Sequence, residues 1–161
     1  MTGPSTLAVA ARGDREIVIT RDFDAPRNLV FRAFTEPPLM RRWLYGPDNW
    51  EMTRCDVDLR VGGAYRYEWR DQDGNTMGAG GNFLEVSPPA CIVATERFDD
   101  PWYPGENRIT QEFAEHASRT TLTMTMLYET TEARDMVLQS GMDAGLEAGY
   151  ARVEAIVAGL A

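Results

Sequence analysis

Apolar positions alternate along residues 15–23, with Ile17, Ile19 and Arg21 on one side and Glu16, Val18, Thr20 and Asp22 on the other. So apolar-rich an alternation predicts a strand covered on at least part of both faces. The period then lengthens. In DAPRNLVFRAFT, residues 24–35, Leu29, Val30, Ala33 and Phe34 lie one helical turn apart, with Asp24 as cap and Pro26 inside the first turn. TEPPLMRRWLYGP, residues 35–47, repeats the device: Thr35 caps, Pro37 and Pro38 open the helix, Leu39, Met40, Trp43 and Leu44 share a face, and Gly46-Pro47 stops it. Two short helices therefore follow the first strand.

Six further strands are predicted, at residues 50–60, 63–70, 75–86, 90–98, 108–115 and 119–128. Gly62-Gly63, DQDGN, SPP, DDPWYPGE and EHAS separate them, and connections this short imply antiparallel neighbours. Residues 132–160 read as one long helix, because Leu138, Met142, Leu146, Tyr150, Val153, Val157 and Leu160 step by four and three along one stripe. Thr130 or Thr131 caps it. Gly141, Gly145 and Gly149 each cost up to about 1 kcal/mol relative to alanine in a helix interior, and a spacing of four puts them in one row. Either the row lets the helix pack closely on a sheet, or it leaves room for a ligand, in which case Gly145→Leu fills that room.

The expected architecture is α+β: a curved seven-stranded antiparallel sheet wrapped around a long C-terminal helix. Residues 14–161 form a single domain behind a flexible N-terminal arm, residues 1–13, whose Gly, Pro, Ser, Thr and Ala show no period.

Composition narrows the function. A chain of 161 residues, 43% hydrophobic, buries about 68–70% of its unfolded surface, enough for a core plus a cavity. Sixteen arginines and no lysine face twenty-five acidic residues, a net charge of −9, so nucleic-acid backbones and anionic membranes repel it. No stretch reaches the ~20 apolar residues of a membrane helix. The run from Leu7 to Ala11 is too short, and lacks the basic flank, for a signal peptide, so a cytoplasmic location is expected. Cys55 and Cys91 lack the spacing of a zinc site or a disulfide framework and read as buried thiols. His116, the one histidine, reads as part of a surface hairpin. No metal site and no cofactor are indicated: DGNTMGAGG matches neither a P-loop nor a dinucleotide fingerprint, and its glycines suit a bending strand.

Several strings together resemble the SRPBCC superfamily, also called START-like or helix-grip: ITRDFDAPRNLVFRAFTEPPLMRRWLYGP, DVDLRVGGAYRYEW, DGN with FLEVSPP, RTTLTMTMLYE, and SGMDAGLEAGYARVEAIVAGL. More narrowly they are similar to the branch named for activators of the heat-shock chaperone ATPase, and the likeness covers residues 15–160. The resemblance implies a deep cavity between the curved sheet and the long helix. Relatives across the superfamily bind lipids, sterols, polyketides and plant hormones, and some are cyclases or hydrolases. The branch name implies a chaperone as a possible partner.

The residues themselves point the same way. Tyr65, Tyr67 and Trp69 share one face of a strand, while Arg66, Glu68 and Arg70 share the other; Leu122, Met124, Met126 and Tyr128 likewise share a face. Aromatic and methionine walls with few polar tips are what small-molecule pockets use. The candidate ligand-binding residues are Trp43, Tyr65, Tyr67, Trp69, Phe83, Met124, Met126, Met142, Leu146 and Tyr150, and the expected partner is a small apolar molecule. Trp43, Tyr45 and Trp50 suit a cavity mouth or lid, and Trp102 and Tyr103 a second gate or a homodimer contact. Asp58 and Arg60 in DLRVGG read as an ion pair beside a turn. No catalytic residue is assigned; acid–base work would fall to Glu68, Glu96 or Asp56 if one faced a dry cavity, and the parity of Glu68 argues against it.

Overall fold

The computed structural model describes residues 7–161. The strands are β1 (Ala8–Arg12), β2 (Glu16–Phe23), β3 (Trp50–Val57), β4 (Ala64–Asp71), β5 (Thr76–Ser87), β6 (Cys91–Phe98), β7 (Asn107–His116) and β8 (Arg119–Leu127). Between β2 and β3 lie α1 (Arg27–Thr35) and α2 (Pro37–Met40), and after β8 come α3 (Thr131–Leu138) and α4 (Met142–Leu160). All neighbouring strands pair antiparallel, in the order β1-β2-β8-β7-β6-β5-β4-β3.

The sheet thus has eight strands, not seven. The additional one comes from the segment expected to be a loose arm: Ala8–Arg12 folds back on β2 around Gly13, whose φ is 58°. Four of its five residues are exposed. Backbone hydrogen bonds hold it to the sheet edge, and with almost no side chain buried there is no apolar alternation to read. Residues 1–6 of that arm lie outside the described residues.

The second correction concerns the C-terminal helix, which is broken. Gly141 adopts φ 80°, and this left-handed residue separates α3 from α4. Thr130 caps α3, its hydroxyl accepting the Ala133 amide at 3.0 Å. The glycine row accordingly serves no single purpose. At Gly149 a Cβ would sit 3.5 Å from the Trp43 ring, a packing contact, whereas Gly145 is exposed with nothing within 4 Å and leaves no room for a ligand.

Helix starts also differ from expectation. Pro26 is the N-cap of α1, and the Arg27 amide donates to Glu115 Oε1 of β7 at 2.8 Å, a role expected of Asp24. Thr35 ends α1, its hydroxyl donating to the Phe31 carbonyl, and Glu36 stands at the N-cap of α2.

Ile17, Ile19 and Phe23 of β2 and Val153 and Val157 of α4 are fully buried, so the C-terminal half of α4 is packed on the β2 side of the sheet. Tyr150 extends that contact, its ring 5.7 Å from Phe23 and 5.9 Å from Phe34. Arg134 of α3 donates to the carbonyls of Gly13 and Glu16 at 3.1 and 3.0 Å, tying the helix to the β1–β2 turn. No described helix is long and apolar enough to cross a membrane.

Candidate ligand-binding site

Where α4 is less tightly packed, at Met142 and Leu146, a cavity of about 610 Å³ opens between the helices and the sheet. Strand parity builds its floor. Tyr65, Tyr67 and Trp69 alternate along β4 and line the cavity, while Arg66, Glu68 and Arg70 take the outer face. Phe83 of β5, Met124 and Met126 of β8, and Trp43, Met142, Leu146 and Tyr150 complete the ten residues singled out from the sequence, all of which border this one space.

Aromatic stacking orders the floor: Tyr65 lies 4.9 Å from Tyr67 and 5.5 Å from Phe83, and Tyr67 lies 5.9 Å from Trp69, centroid to centroid. Two of these side chains are fixed by hydrogen bonds, Tyr65 Oη donating to the Thr95 carbonyl at 2.6 Å and Trp69 Nε1 to the Leu44 carbonyl at 2.7 Å. On the inner face of β6 and β7, Ile92, Ala94, Glu96, Phe98, Ile109 and Gln111 alternate into the cavity; sequence reasoning named Glu96 as a conditional acid–base candidate and missed the other five. The period-2 pattern of β6 was a readable signal for them.

The mouth lies at the loop after α2. Tyr45, Gly46, Pro47 and Trp50 border the cavity there, with Met77, 46% exposed, across from them at the start of β5. Trp43 is no lid: it is buried, its Nε1 donates to the Ala33 carbonyl at 2.8 Å, and its ring packs 4.8 Å from Phe34. Nor do Trp102 and Tyr103 form a second gate. Neither borders the cavity, and Tyr103 is buried with its hydroxyl donating to Asn107 Oδ1 at 3.1 Å.

Of the three carboxylates considered for acid–base work, two are outside. Asp56 and Glu68 are exposed or nearly so and paired with Arg54, at 2.6 and 3.2 Å, and Glu68 also with Arg66. Glu96 borders the cavity and is partly buried. Burial pushes its carboxyl above the ordinary range, against a weaker opposing pull from the Asn107 amide, whose Nδ2 donates at 3.4 Å. Burial first, and the Glu96 charge second, raise the Tyr65 hydroxyl; burial raises that of Tyr67 too, with smaller contributions from Cys55 and Glu96.

The remaining candidates are structural. Arg60 Nε donates to both Asp58 oxygens at 3.0 and 2.9 Å beside the turn at Gly62. His116 is exposed in the β7–β8 hairpin, whose turn residues Ala117 and Ser118 have φ 52° and 63°. Cys55 is buried, its thiol pushed up to about 11 by desolvation, whereas Cys91 is only half-buried.

The family model described as "Activator of Hsp90 ATPase homolog 1-like protein" matches residues 24–158. A crystal structure of a Rhodobacter sphaeroides protein is similar over 95% of this chain and 98% of its own, with 28% identity and a TM-score of 0.90. A Nitrosomonas europaea protein is similar over 94% of this chain and 99% of its own, with 26% identity and a TM-score of 0.81. The solution structure of an AHSA1-like protein from Aeromonas hydrophila covers 89% of this chain and 95% of its own, at 25% identity and a TM-score of 0.70. A comparison with curated proteins returns no match. With a model match spanning both helices of the mouth, the inner strands and α4, the chain belongs to the activator of Hsp90 ATPase homolog 1-like family, a branch of the SRPBCC superfamily.

Proposed function

We propose that this protein binds a small, largely apolar molecule in the cavity between its sheet and α4. The observation that carries the reading is the cavity itself, about 610 Å³ in a wall that is aromatic and aliphatic apart from Thr35, Glu96 and Gln111. A space of that size lies within the range of small-molecule sites, and its mixture of apolar wall and few polar groups is their usual composition. Flexible methionines at positions 77, 124, 126 and 142 let the wall follow ligands of different outline. Binding then draws on apolar burial, on a scale of about 25 cal/mol per Å² before association costs.

The test is a titration of apolar compounds followed by tryptophan fluorescence, with Trp43, Trp50 and Trp69 as reporters in the wall. Ala94→Phe places a ring in the cavity from the middle of β6 and serves as the blocked control. Saturable quenching in the wild type and none in Ala94→Phe supports the reading. Equal quenching in both, or none in either, removes it.

A second reading, acid–base chemistry on the bound molecule, is favoured by Glu96 alone, a cavity-facing carboxyl whose burial raises its proton affinity. Turnover of a bound compound by the wild type, lost in Glu96→Gln with binding retained, separates an enzyme from a binding protein. A protein that binds no apolar compound yet changes a chaperone's ATPase rate on mixing is instead an interaction module.

A further inference from the structure

Among the described residues, Glu96 is the one charged side chain in the cavity wall. None of the ion pairs among the described residues involves it. Its polar neighbour is Asn107, which is 1% exposed and held in a fixed orientation: Tyr103 Oη donates to Oδ1, leaving Nδ2 turned to Glu96 at 3.4 Å. One long hydrogen bond is little support for a carboxylate withdrawn from water, and such groups are ordinarily kept with a counter-charge. No described residue of the protein places a cation there. Tyr65 and Tyr67 line the same cavity close enough for the Glu96 charge to act on their hydroxyls, and aromatic rings attract a positive charge over their faces. The net charge of −9 acts in the same sense over longer range, favouring cations and opposing anions.

We infer that the cavity takes an apolar amine, a hydrophobic molecule with a single protonated nitrogen that sits against the Glu96 carboxylate and the faces of Tyr65 and Tyr67. The inference rests on the reading of the cavity as a ligand site and adds to it a chemical class. It also sets a selectivity: an apolar carboxylate, such as a fatty acid, places like charge beside Glu96 and is rejected, and an uncharged molecule of equal length binds through burial alone.

Dodecylamine, dodecanol and dodecanoate share one chain and differ in head group, so they isolate this term. Each is titrated at neutral pH into the wild type, Ala94→Phe and Glu96→Gln, with tryptophan fluorescence and calorimetry as readouts. Dodecylamine is expected to bind about ten- to a hundredfold more tightly than dodecanol, the range of a hydrogen bond to a charged group, with dodecanoate weakest. In Glu96→Gln the advantage of the amine over dodecanol is lost. If Glu96→Gln does not fold, the wild-type ranking decides alone. Dodecanol or dodecanoate binding as tightly as the amine overturns the inference while the cavity reading stands. So does an amine advantage that persists in Glu96→Gln, or in Ala94→Phe, which would place it on the acidic surface. If none of the three binds, both readings fall.

Discussion

Arg21 Nη1 of β2 lies 3.0 Å from Glu154 Oε1 of α4, an ion pair joining the sheet to the last helix. Arg21 is 5% exposed, its guanidinium lies 4.7 Å from the Phe23 centroid, and its Nε has no partner among the described residues. Glu154 also accepts the Asp24 amide at 3.1 Å, so one carboxylate secures both the buried cation and the chain entering α1. Glu154→Ala should cost about 2 kcal/mol, less than the 3–5 kcal/mol of breaking a fully buried pair because Glu154 keeps some contact with water. Arg21→Met combined with Glu154→Leu should recover most of that loss. Urea denaturation of the single and double variants decides, and a single variant as stable as the wild type would remove the pair from the account of stability.

Glu96 makes stability depend on pH with a definite sign. Burial raises its folded-state carboxyl above the ordinary value of 4.5, so just above that pH the native state holds more protons than the unfolded chain. This contribution therefore falls as pH rises through the raised value. Glu96→Gln cannot ionise. Its melting temperature relative to the wild type should rise as pH climbs above 4.5 and level off once the raised value is passed. A difference that stays constant with pH would contradict the placement of this side chain.

Arg152 of α4 clasps the mouth. Its Nη1 donates to the carbonyls of Trp43 and Gly46 at 3.2 and 2.9 Å, Nη2 lies 3.2 Å from Asp48, and the guanidinium sits 4.0 Å from the Tyr45 centroid. Arg152→Ala should speed hydrogen exchange at Tyr45, Gly46 and Asp48 while the strands stay protected, with about 1–2 kcal/mol of stability lost. Arg152→Lys should not restore protection, since an ammonium lacks the flat fork that bonds and stacks at once. Exchange measured by mass spectrometry reads both variants; unchanged exchange in Arg152→Ala would mean that the loop is held by other contacts.

Two glycines should answer alanine in opposite ways. At Gly63 a Cβ would overlap the Asp58 carbonyl oxygen and lie 3.0 Å from that of Arg60, backbone atoms with nowhere to go, so Gly63→Ala should cost more than about 2 kcal/mol. Gly145 is exposed inside α4 with nothing within 4 Å, and Gly145→Ala should stabilise by about 0.5–1 kcal/mol. Thermal melts of the two variants, compared with the wild type, check both signs.

What lay open in the sequence were properties that belong to one segment at a time. The two-residue period puts Tyr65, Tyr67 and Trp69 on one side of β4 and Met124 and Met126 on one side of β8, whatever those strands pack against. The apolar stripe of α4 marked Tyr150, Val153 and Val157 as inward, and all three are buried. Local turn chemistry placed most strand ends within a residue or two.

The tertiary structure decided whatever depends on two segments meeting. β1 exists because the edge of β2 has unpaired backbone groups, a demand that leaves no mark on the side chains of Ala8–Arg12. The break at Gly141 is invisible to a stripe that keeps its period across it, since a single left-handed residue redirects a helix without altering which residues are apolar. The parity of β4 already argued against Glu68, but nothing in the sequence separated Glu96 from Asp56. Only the pairing of β6 between β5 and β7 turns Glu96 inward beside Asn107 and away from every arginine, and that isolation gives it its chemistry.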